Sequence, residues 1–263
     1  MKWTLTASAC AAAALMTVAC STQAPHATAP AGHAAHSPHW SYDGPTSALH
    51  WAELEPGFQT CGIGQEQSPI NIETSRVTAS PDARPLGFGY TPSEGSVVNN
   101  GHTIQVDLAQ AGSLVLDDGA YGLVQFHFHT PSEEQIDGQS YPLVAHLVHR
   151  NEQGRLAVVA VLFKLGQENA ALKPVFAKLP TDVDGRRALT APLDVTALLP
   201  ATRAHYAFAG SLTTPPCSEG VRWHVLKTPV EISPAQLAAF KAIYTMNARP
   251  VQPLNGRAVR LVP

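Results

Sequence analysis

The segment that decides the fold reads Leu123-Val124-Gln125-Phe126-His127-Phe128-His129. Apolar residues alternate here with Gln125, His127 and His129, and successive side chains of a β-strand point to opposite faces of the sheet. The segment therefore predicts a strand with one apolar face and one face that carries two imidazoles. His127 and His129 are expected to lie roughly 6.5–7 Å apart at Cα, because each residue of a strand rises by ~3.3 Å.

Two imidazoles at this spacing can bind one zinc ion, whose bonds to histidine nitrogens measure ~2.0–2.1 Å. A third ligand is predicted at His146, in the alternating segment 143–149. The intervening Asp137-Gly138 turn allows the two strands to pair antiparallel. Three histidines with an open fourth position are typical of a catalytic zinc site. His149 is three residues beyond His146, so we expect it to face the opposite side as a hydrogen-bonded core histidine. The His-X-His pattern alone would also fit two polar residues on a solvated face.

Short alternating segments separated by Gly, Pro, Asn and Asp predict a mostly β domain over residues 40–263, with short helices. Segment 156–163 is apolar throughout, which predicts a central strand buried on both faces. A helix is expected from Pro234 to about Tyr244, with Ser233 as its N-cap and Gln236 completing a capping box. A shorter helix is expected within 169–179. Further strands are predicted at 102–108, 205–212 and 221–226.

The composition excludes some classes of function. The chain has 263 residues, 44% apolar and 14% charged, with a net charge of −3, whereas globular chains average about 25% charged residues. So small a net charge gives no support for a nucleic-acid partner. No Asp, Glu, Lys or Arg lies between Lys2 and Asp43, so the deficit is concentrated at the start.

The first forty residues are predicted to direct export. Residues 1–19 form a short apolar segment typical of a signal peptide, since its ~15 apolar residues are fewer than a spanning helix needs. Met16-Thr17-Val18-Ala19-Cys20 resembles a lipobox, which would make Cys20 a lipidated N-terminus; ordinary signal cleavage is the alternative. Residues 20–39 are predicted to be a flexible His-, Ala- and Pro-rich tether, whose histidines could also bind metal. The expected location is the periplasm, or a membrane to which lipid on Cys20 anchors the protein.

After removal of Cys10 with the signal and lipidation of Cys20, the cysteines Cys61 and Cys217 remain. In an oxidising compartment such a pair can form a disulfide. Two buried free thiols are the alternative.

The chain from residue 40 to residue 255 resembles the α-class carbonic anhydrases, and four motifs in the order of that family carry the resemblance. They are Gln67–Ile72, Gln125–His129, Ala145–His149 and Gly210–Cys217. The resemblance implies a single α+β domain around a large twisted, predominantly antiparallel sheet, with one zinc per chain. The positions of Cys61 and Cys217 resemble the single disulfide of exported bacterial members.

The resemblance also implies an activity, the reversible hydration of carbon dioxide to bicarbonate by a zinc-bound hydroxide. Thr213 matches the threonine that orients the hydroxide, Glu133 the carboxylate that accepts a hydrogen bond from the threonine hydroxyl, and Thr214 a residue that contacts bicarbonate. His102 matches a proton shuttle, a role suited to an imidazole whose pKa is near 6.5. Esterase activity is a secondary expectation. The apolar wall for carbon dioxide is matched by Val148, Val158, Leu212, Val221 and Trp223.

One position departs from the family pattern. Where the family usually has a glutamate two residues before the third histidine, this chain has Val144. Such partners orient ligating histidines and influence metal affinity or activity by 10–100-fold. We therefore expect either weaker zinc retention, which Val144→Glu would tighten, or another acceptor for His146.

Two other functions fit parts of the pattern. His127, His129 and Glu133 resemble part of a cupin motif, in which the glutamate binds iron or manganese. The chain could also be a non-catalytic zinc-binding surface lipoprotein. The oligomeric state is left open, a homodimer included.

Overall fold

The computed structural model describes residues 40–263, and its core consists of β-strands. The predicted signal segment 1–19, Cys20 and the tether to residue 39 lie outside the described residues. The strands are β1 Asn71–Ile72, β2 Thr78–Ala79, β3 Gly87–Tyr90, β4 Gly95–Asn99, β5 Ile104–Leu108, β6 Gly112–Leu116, β7 Gly119–His129, β8 Gln135–Ile136, β9 Gln139–Ser140, β10 Leu143–Arg150, β11 Leu156–Leu165, β12 Arg186–Ala188, β13 His205–Ser211, β14 Glu219–Leu226, β15 Val230–Ile232 and β16 Arg260–Val262. The helices are α1 Trp51–Leu54, α2 Thr60–Ile63, α3 Lys173–Phe176 and α4 Pro234–Lys241, with 3₁₀ turns at Gly44–Thr46, Pro56–Phe58, Thr74–Arg76 and Val195–Leu198.

One large sheet crosses the described part of the chain in the order β12-β4-β5-β7-β10-β11-β14-β13-β16-β2. Strands β3, β6 and β15 pair at its margins, and β1, β8 and β9 form a small separate sheet. Most pairs in the large sheet are antiparallel, while β11 pairs parallel with both β14 and β15, and β16 pairs parallel with β2. The predicted fold class, mostly β with a predominantly antiparallel sheet, is confirmed.

The two faces of the large sheet bury different sets of side chains. On β7 and β10, Phe126, Phe128 and Leu147 belong to the larger apolar cluster. The alternate residues on the same strands, including His146 and Val144, point to the opposite face. Strand β11 is buried on both faces over residues 157–163, as its continuous apolar sequence predicts. The period of two thus separates a structural core from a face that is free to carry chemistry.

The predicted strands are observed with bounds that differ by a few residues, and one of these differences moves a predicted site residue out of its strand. Segment 102–108 predicts a strand that includes His102, but β5 begins at Ile104 and His102 lies in the preceding bend. The Asn100 side chain accepts hydrogen bonds from the backbone N–H groups of His102 and Thr103. This side-chain turn competes with the ladder and delays the start of the strand.

The helices are shorter than predicted. Ser233 and Gln236 form the predicted capping box, but α4 ends at Lys241 instead of continuing to Tyr244. Helix α3 is a single turn within the predicted 169–179 segment, with Pro174 in its first turn. No helix within residues 40–263 is long and apolar enough to cross a membrane.

Cys61 and Cys217 form a disulfide across 156 residues of sequence, with their Cα atoms 5.0 Å apart. Both cysteines are buried against Trp51. Cys61 lies in α2, and Cys217 follows the turn after β13. The alternative of two free thiols is therefore wrong, and the bridge ties the N-terminal helices to the turn that contains Thr213.

Replacing both cysteines by alanine should lower the free energy of unfolding by about 3–5 kcal/mol, because the bridge restricts a long loop in the unfolded chain. Equilibrium urea unfolding of the oxidised protein and of the Cys61→Ala/Cys217→Ala variant measures the difference. Wild-type protein kept in a thiol reductant is the control and should match the variant. Equal midpoints for oxidised protein and variant would contradict a stabilising role.

Candidate metal centre

Three imidazoles meet on the face of the sheet opposite the larger cluster. In the antiparallel pairing of β7 with β10, His127 lies directly opposite His146, and His129 is two residues further along β7. One nitrogen from each ring lies within 4.8 Å of the others, and within residues 40–263 these rings form the one group of at least three metal-ligating side chains at such spacing. The structure thus brings together the ligand set that the sequence predicts.

Each ring uses its other nitrogen in a hydrogen bond to an oxygen. His127 Nδ1 lies 2.9 Å from Gln125 Oε1, and His129 Nδ1 lies 2.7 Å from the Asn247 carbonyl oxygen. His146 Nε2 lies 3.1 Å from Glu134 Oε2. Since these oxygens accept, the three nitrogens donate, which leaves Nε2 of His127, Nε2 of His129 and Nδ1 of His146 with free lone pairs.

These residues fit a zinc ion. His129 Nε2 is buried and has no hydrogen-bond partner among residues 40–263, which a bound cation would satisfy. Burial lowers the pKa of His127 to about 3 and holds the pKa of His129 well below its usual value, in both cases with help from neighbouring His146. Neutral imidazoles, the form that binds metal, are therefore favoured. Burial also acts against the charge on His146, but the Glu134 and Glu133 carboxylates together outweigh it and raise that pKa.

Glu133 is a buried carboxylate beside the three rings. Its Oε1 accepts a hydrogen bond from the Arg249 backbone N–H at 2.8 Å, and its two oxygens lie 3.4 Å from His129 Nδ1 and 3.7 Å from His146 Nδ1. Burial raises its pKa to about 7, a rise that His146 opposes and Glu134 reinforces, while the Thr213 hydroxyl lowers it as a hydrogen-bond donor. The predicted Thr213 and Glu133 are thus brought together.

Thr213 and Thr214 lie in the turn between β13 and the disulfide. Thr213 is buried, whereas Thr214 is half-buried and its carbonyl accepts a hydrogen bond from the Cys217 N–H at 2.8 Å. This hydrogen bond closes the turn at the residue that forms the disulfide.

The residues predicted to form an apolar wall share one cluster on the site face. Val158, Val221 and Trp223 are buried in it, and Val148 and Leu212 pack against it. The Trp223 ring meets the His146 ring edge-on with centroids 4.9 Å apart, and the indole N–H donates to the Ser211 carbonyl at 2.9 Å. An apolar surface thus adjoins the ligand set directly.

His102 is half-buried and stacks on Trp40, with ring centroids 3.6 Å apart and planes 7° from parallel. Trp40 contacts Tyr42, and Tyr42 contacts His129. A continuous set of ring contacts therefore connects the predicted shuttle to a predicted metal ligand. Trp40 follows directly on the predicted tether, and the sequence carries no signal for this stacking partner.

Asn247 is a second residue whose role the sequence does not reveal. It is fully buried, and its side chain accepts from the Thr130 N–H and donates to the carbonyls of Phe128 and His102. With its own carbonyl bound to His129, this one residue supports a predicted ligand, the end of β7 and the bend that carries His102.

Val144 is fully buried on the face that also carries His146, and it offers no acceptor. The carboxylate that reaches His146 belongs instead to Glu134 in the loop between β7 and β8. Of the two expectations raised by Val144, the structure supports another acceptor. His149 faces the opposite side as predicted, where Nδ1 donates to the Ala157 carbonyl at 3.2 Å and Nε2 accepts from the Tyr90 hydroxyl at 2.7 Å.

Comparison with known proteins places this geometry in context. The family model described as eukaryotic-type carbonic anhydrase matches residues 46–263. A carbonic anhydrase of Pectobacterium atrosepticum is 42% identical over 86% of this chain and 92% of its own, and one of Klebsiella pneumoniae is 45% identical over 84% and 90%. The α-carbonic anhydrase of Thermovibrio ammonificans, solved with the inhibitor sulfanilamide, superposes with a TM-score of 0.83 at 45% identity, covering 84% of this chain and 98% of its own.

Proposed function

The chain is an enzyme of the eukaryotic-type, or α-class, carbonic anhydrase family, and we propose that it hydrates carbon dioxide reversibly to bicarbonate and a proton at His127, His129 and His146. The observation that carries this proposal is the set of three inward nitrogens whose outer N–H groups are all bound to oxygens. The family match removes the cupin alternative. Glu133 also lies outside the group of closely spaced ligand atoms, and its Oε1 accepts a hydrogen bond from the Arg249 backbone N–H.

We propose that the three histidines hold one zinc ion per chain. Bound zinc supplies a Lewis acid that, as is established for carbonic anhydrases themselves, brings the pKa of water to about 7. The histidines contribute no charge of their own, so the full positive charge of the ion acts on the reacting groups.

Thr213 and Glu133 orient the nucleophile in this proposal. Glu133 Oε2 is buried without a hydrogen bond of normal geometry among residues 40–263, and the Thr213 hydroxyl is the neighbouring donor. A threonine that donates to Glu133 has only acceptor capacity left for the site. Its oxygen therefore accepts a hydrogen bond from an attacking O–H group and directs a lone pair of that group towards the substrate, which is positioning and not proton removal.

The lack of charge on carbon dioxide indicates which surface binds it. Carbon dioxide has no net dipole, and the apolar surface beside His146 excludes water without offering competing hydrogen bonds. We propose that this surface holds the gas and that Thr214 contacts bicarbonate before release. Hydrolysis of activated esters is expected as a slower side reaction, since the same nucleophile can attack a carbonyl.

His129→Ala should abolish stoichiometric zinc binding and reduce hydration to the uncatalysed background. Metal analysis and stopped-flow hydration of the full chain, solubilised in detergent, measure both quantities. His50→Ala is a matched control because its imidazole is exposed. A wild-type protein that binds one zinc but hydrates no carbon dioxide would favour the zinc-binding lipoprotein, and equal rates for wild type and His129→Ala would refute the proposed site.

We propose that His102 carries protons between the site and buffer. His102→Ala should slow hydration by roughly 10-fold or more at low buffer concentration, since a positioned acid or base contributes at least that much. At high imidazole concentration the rate should recover, because the small base replaces the missing side chain. Stopped-flow rates across a buffer series test this against His50→Ala, and an equal slowing at every buffer concentration would contradict a shuttle role.

We also propose export, with residues 1–19 removed and lipid attached to Cys20. The Cys61–Cys217 disulfide supports an oxidising compartment. Cys20→Ser should move the protein from the membrane fraction to the soluble fraction and remove the acyl mass from its N-terminal peptide, whereas Cys10→Ser should change neither. Fractionation and mass spectrometry give the answer, and an unmodified wild-type Cys20 would sink the idea.

A further inference from the structure

The buried carboxylate of Glu134 takes part in none of the chemical steps proposed above, although it contacts His146. The residue is fully buried, and both of its carboxylate oxygens lie 3.1 Å from His146 Nε2. Within residues 40–263 no lysine or arginine forms an ion pair with it. A buried carboxylate without a basic partner is costly unless another positive group faces it. His146 is the group that Glu134 contacts.

We infer that Glu134 is a positioning residue that replaces, from a loop, the carboxylate that position 144 lacks. Val144 lies two residues before His146 on β10 and shares its face, so a glutamate there could point towards the same ring. Glu134 reaches His146 Nε2 from the loop that follows β7. The inference rests on the proposed zinc site and adds to it the device that holds its third ligand.

His146 needs such an acceptor for two physical reasons. A ring that donates Nε2–H to Glu134 presents Nδ1 to the site, whereas a ring without that bond could rotate and exchange its nitrogens. The negative charge of Glu134 also makes the imidazole nitrogen a stronger electron-pair donor to a cation. Both effects lengthen the time for which the ligand set retains zinc.

The loop holds Glu134 in place through hydrogen bonds on either side. The Ser132 hydroxyl donates to the Glu134 carbonyl at 2.7 Å, and the Tyr141 N–H donates to Ser132 Oγ at 2.8 Å. The Gln135 N–H donates to the Ile70 carbonyl at 3.2 Å. With its backbone held at these points, Glu134 directs its side chain to His146 while adjacent Glu133 contacts Arg249.

The test measures zinc release, a property independent of turnover. Glu134→Gln keeps the shape of the side chain and removes its charge, so zinc loaded into the full chain should dissociate into excess chromogenic chelator 10–100-fold faster than from wild type. The visible spectrum of the cobalt(II)-loaded protein should shift as well. A folded Glu134→Gln variant with wild-type release and spectrum would overturn the inference. A wild-type chain that takes up no zinc would instead overturn the proposed function.

Moving the carboxylate from position 134 to position 144 distinguishes a positioning role of Glu134 from a packing role. In Glu134→Ala/Val144→Glu the charge returns to β10 and can occupy space that the loop side chain vacates, so slow zinc release should be restored to within about 3-fold of wild type, well inside the 10–100-fold effect of losing the partner. Glu134→Ala/Val144→Gln is the control for size and should release zinc fast. Equal rates for the two double variants would contradict the inference, including in the case that Glu134→Gln fails to fold.

Val144→Glu alone has a different expected result from the one that the sequence suggests. With Glu134 already bound to His146 Nε2, a second carboxylate at position 144 finds that donor taken. We therefore expect this single variant to lower the thermal midpoint without slowing zinc release. Slower release from it would show that the donor is available and would contradict the assignment of Glu134.

Discussion

The site depends on one constraint: every imidazole that is to bind metal must give its outward N–H to an oxygen. Three different kinds of oxygen meet it, namely the Gln125 amide, the Asn247 carbonyl and the Glu134 carboxylate. The Gln125 amide lies on β7 beside His127, the Asn247 carbonyl lies in the segment after α4, and the Glu134 carboxylate lies in the loop after β7. Segments more than 100 residues apart must therefore be folded together before the three inward nitrogens are fixed, which links the precision of the ligand set to the completeness of the fold.

Charge balance gives these contacts a second meaning. Glu133 and Glu134 are adjacent and both fully enclosed, and each acts electrostatically on His146. Two buried carboxylates without an external counterion would oppose folding. A divalent cation held by the neighbouring histidines would offset that cost. The Arg249 guanidinium donates its hydrogen bonds to the carbonyls of Ser68 and Cys61, and it interacts with Glu133 only through its charge. The pair of glutamates thus divides the work: one faces the reacting groups through Thr213, and the other faces a ligand.

Local periodicity was enough to predict the strands that carry the ligands. The alternation in β7 and β10 predicts which residues face the core, and it separates His146 from His149 correctly. It could not predict where β5 starts, because the Asn100 side chain captures the preceding backbone. It also could not find Asn247 or Trp40, whose partners lie far away in sequence. Such contacts depend on tertiary placement, which spacing along the chain does not encode; only the family resemblance identified Thr213, Glu133 and His102.

Val144 illustrates how a missing side chain in a motif should be interpreted. The function of the usual glutamate is to place a negative oxygen at His146 Nε2, and any backbone position from which a carboxylate can reach that nitrogen satisfies it. The strand offers one such position and the loop beside it offers another, because the antiparallel pairing of β7 with β10 brings the loop that follows His129 towards the start of β10. The fold therefore contains two equivalent sources for one interaction. An apolar residue at position 144 therefore carries no information about metal retention until the loop position has been inspected. In this chain Glu134 occupies the loop position, and among the described residues its buried carboxylate contacts His146.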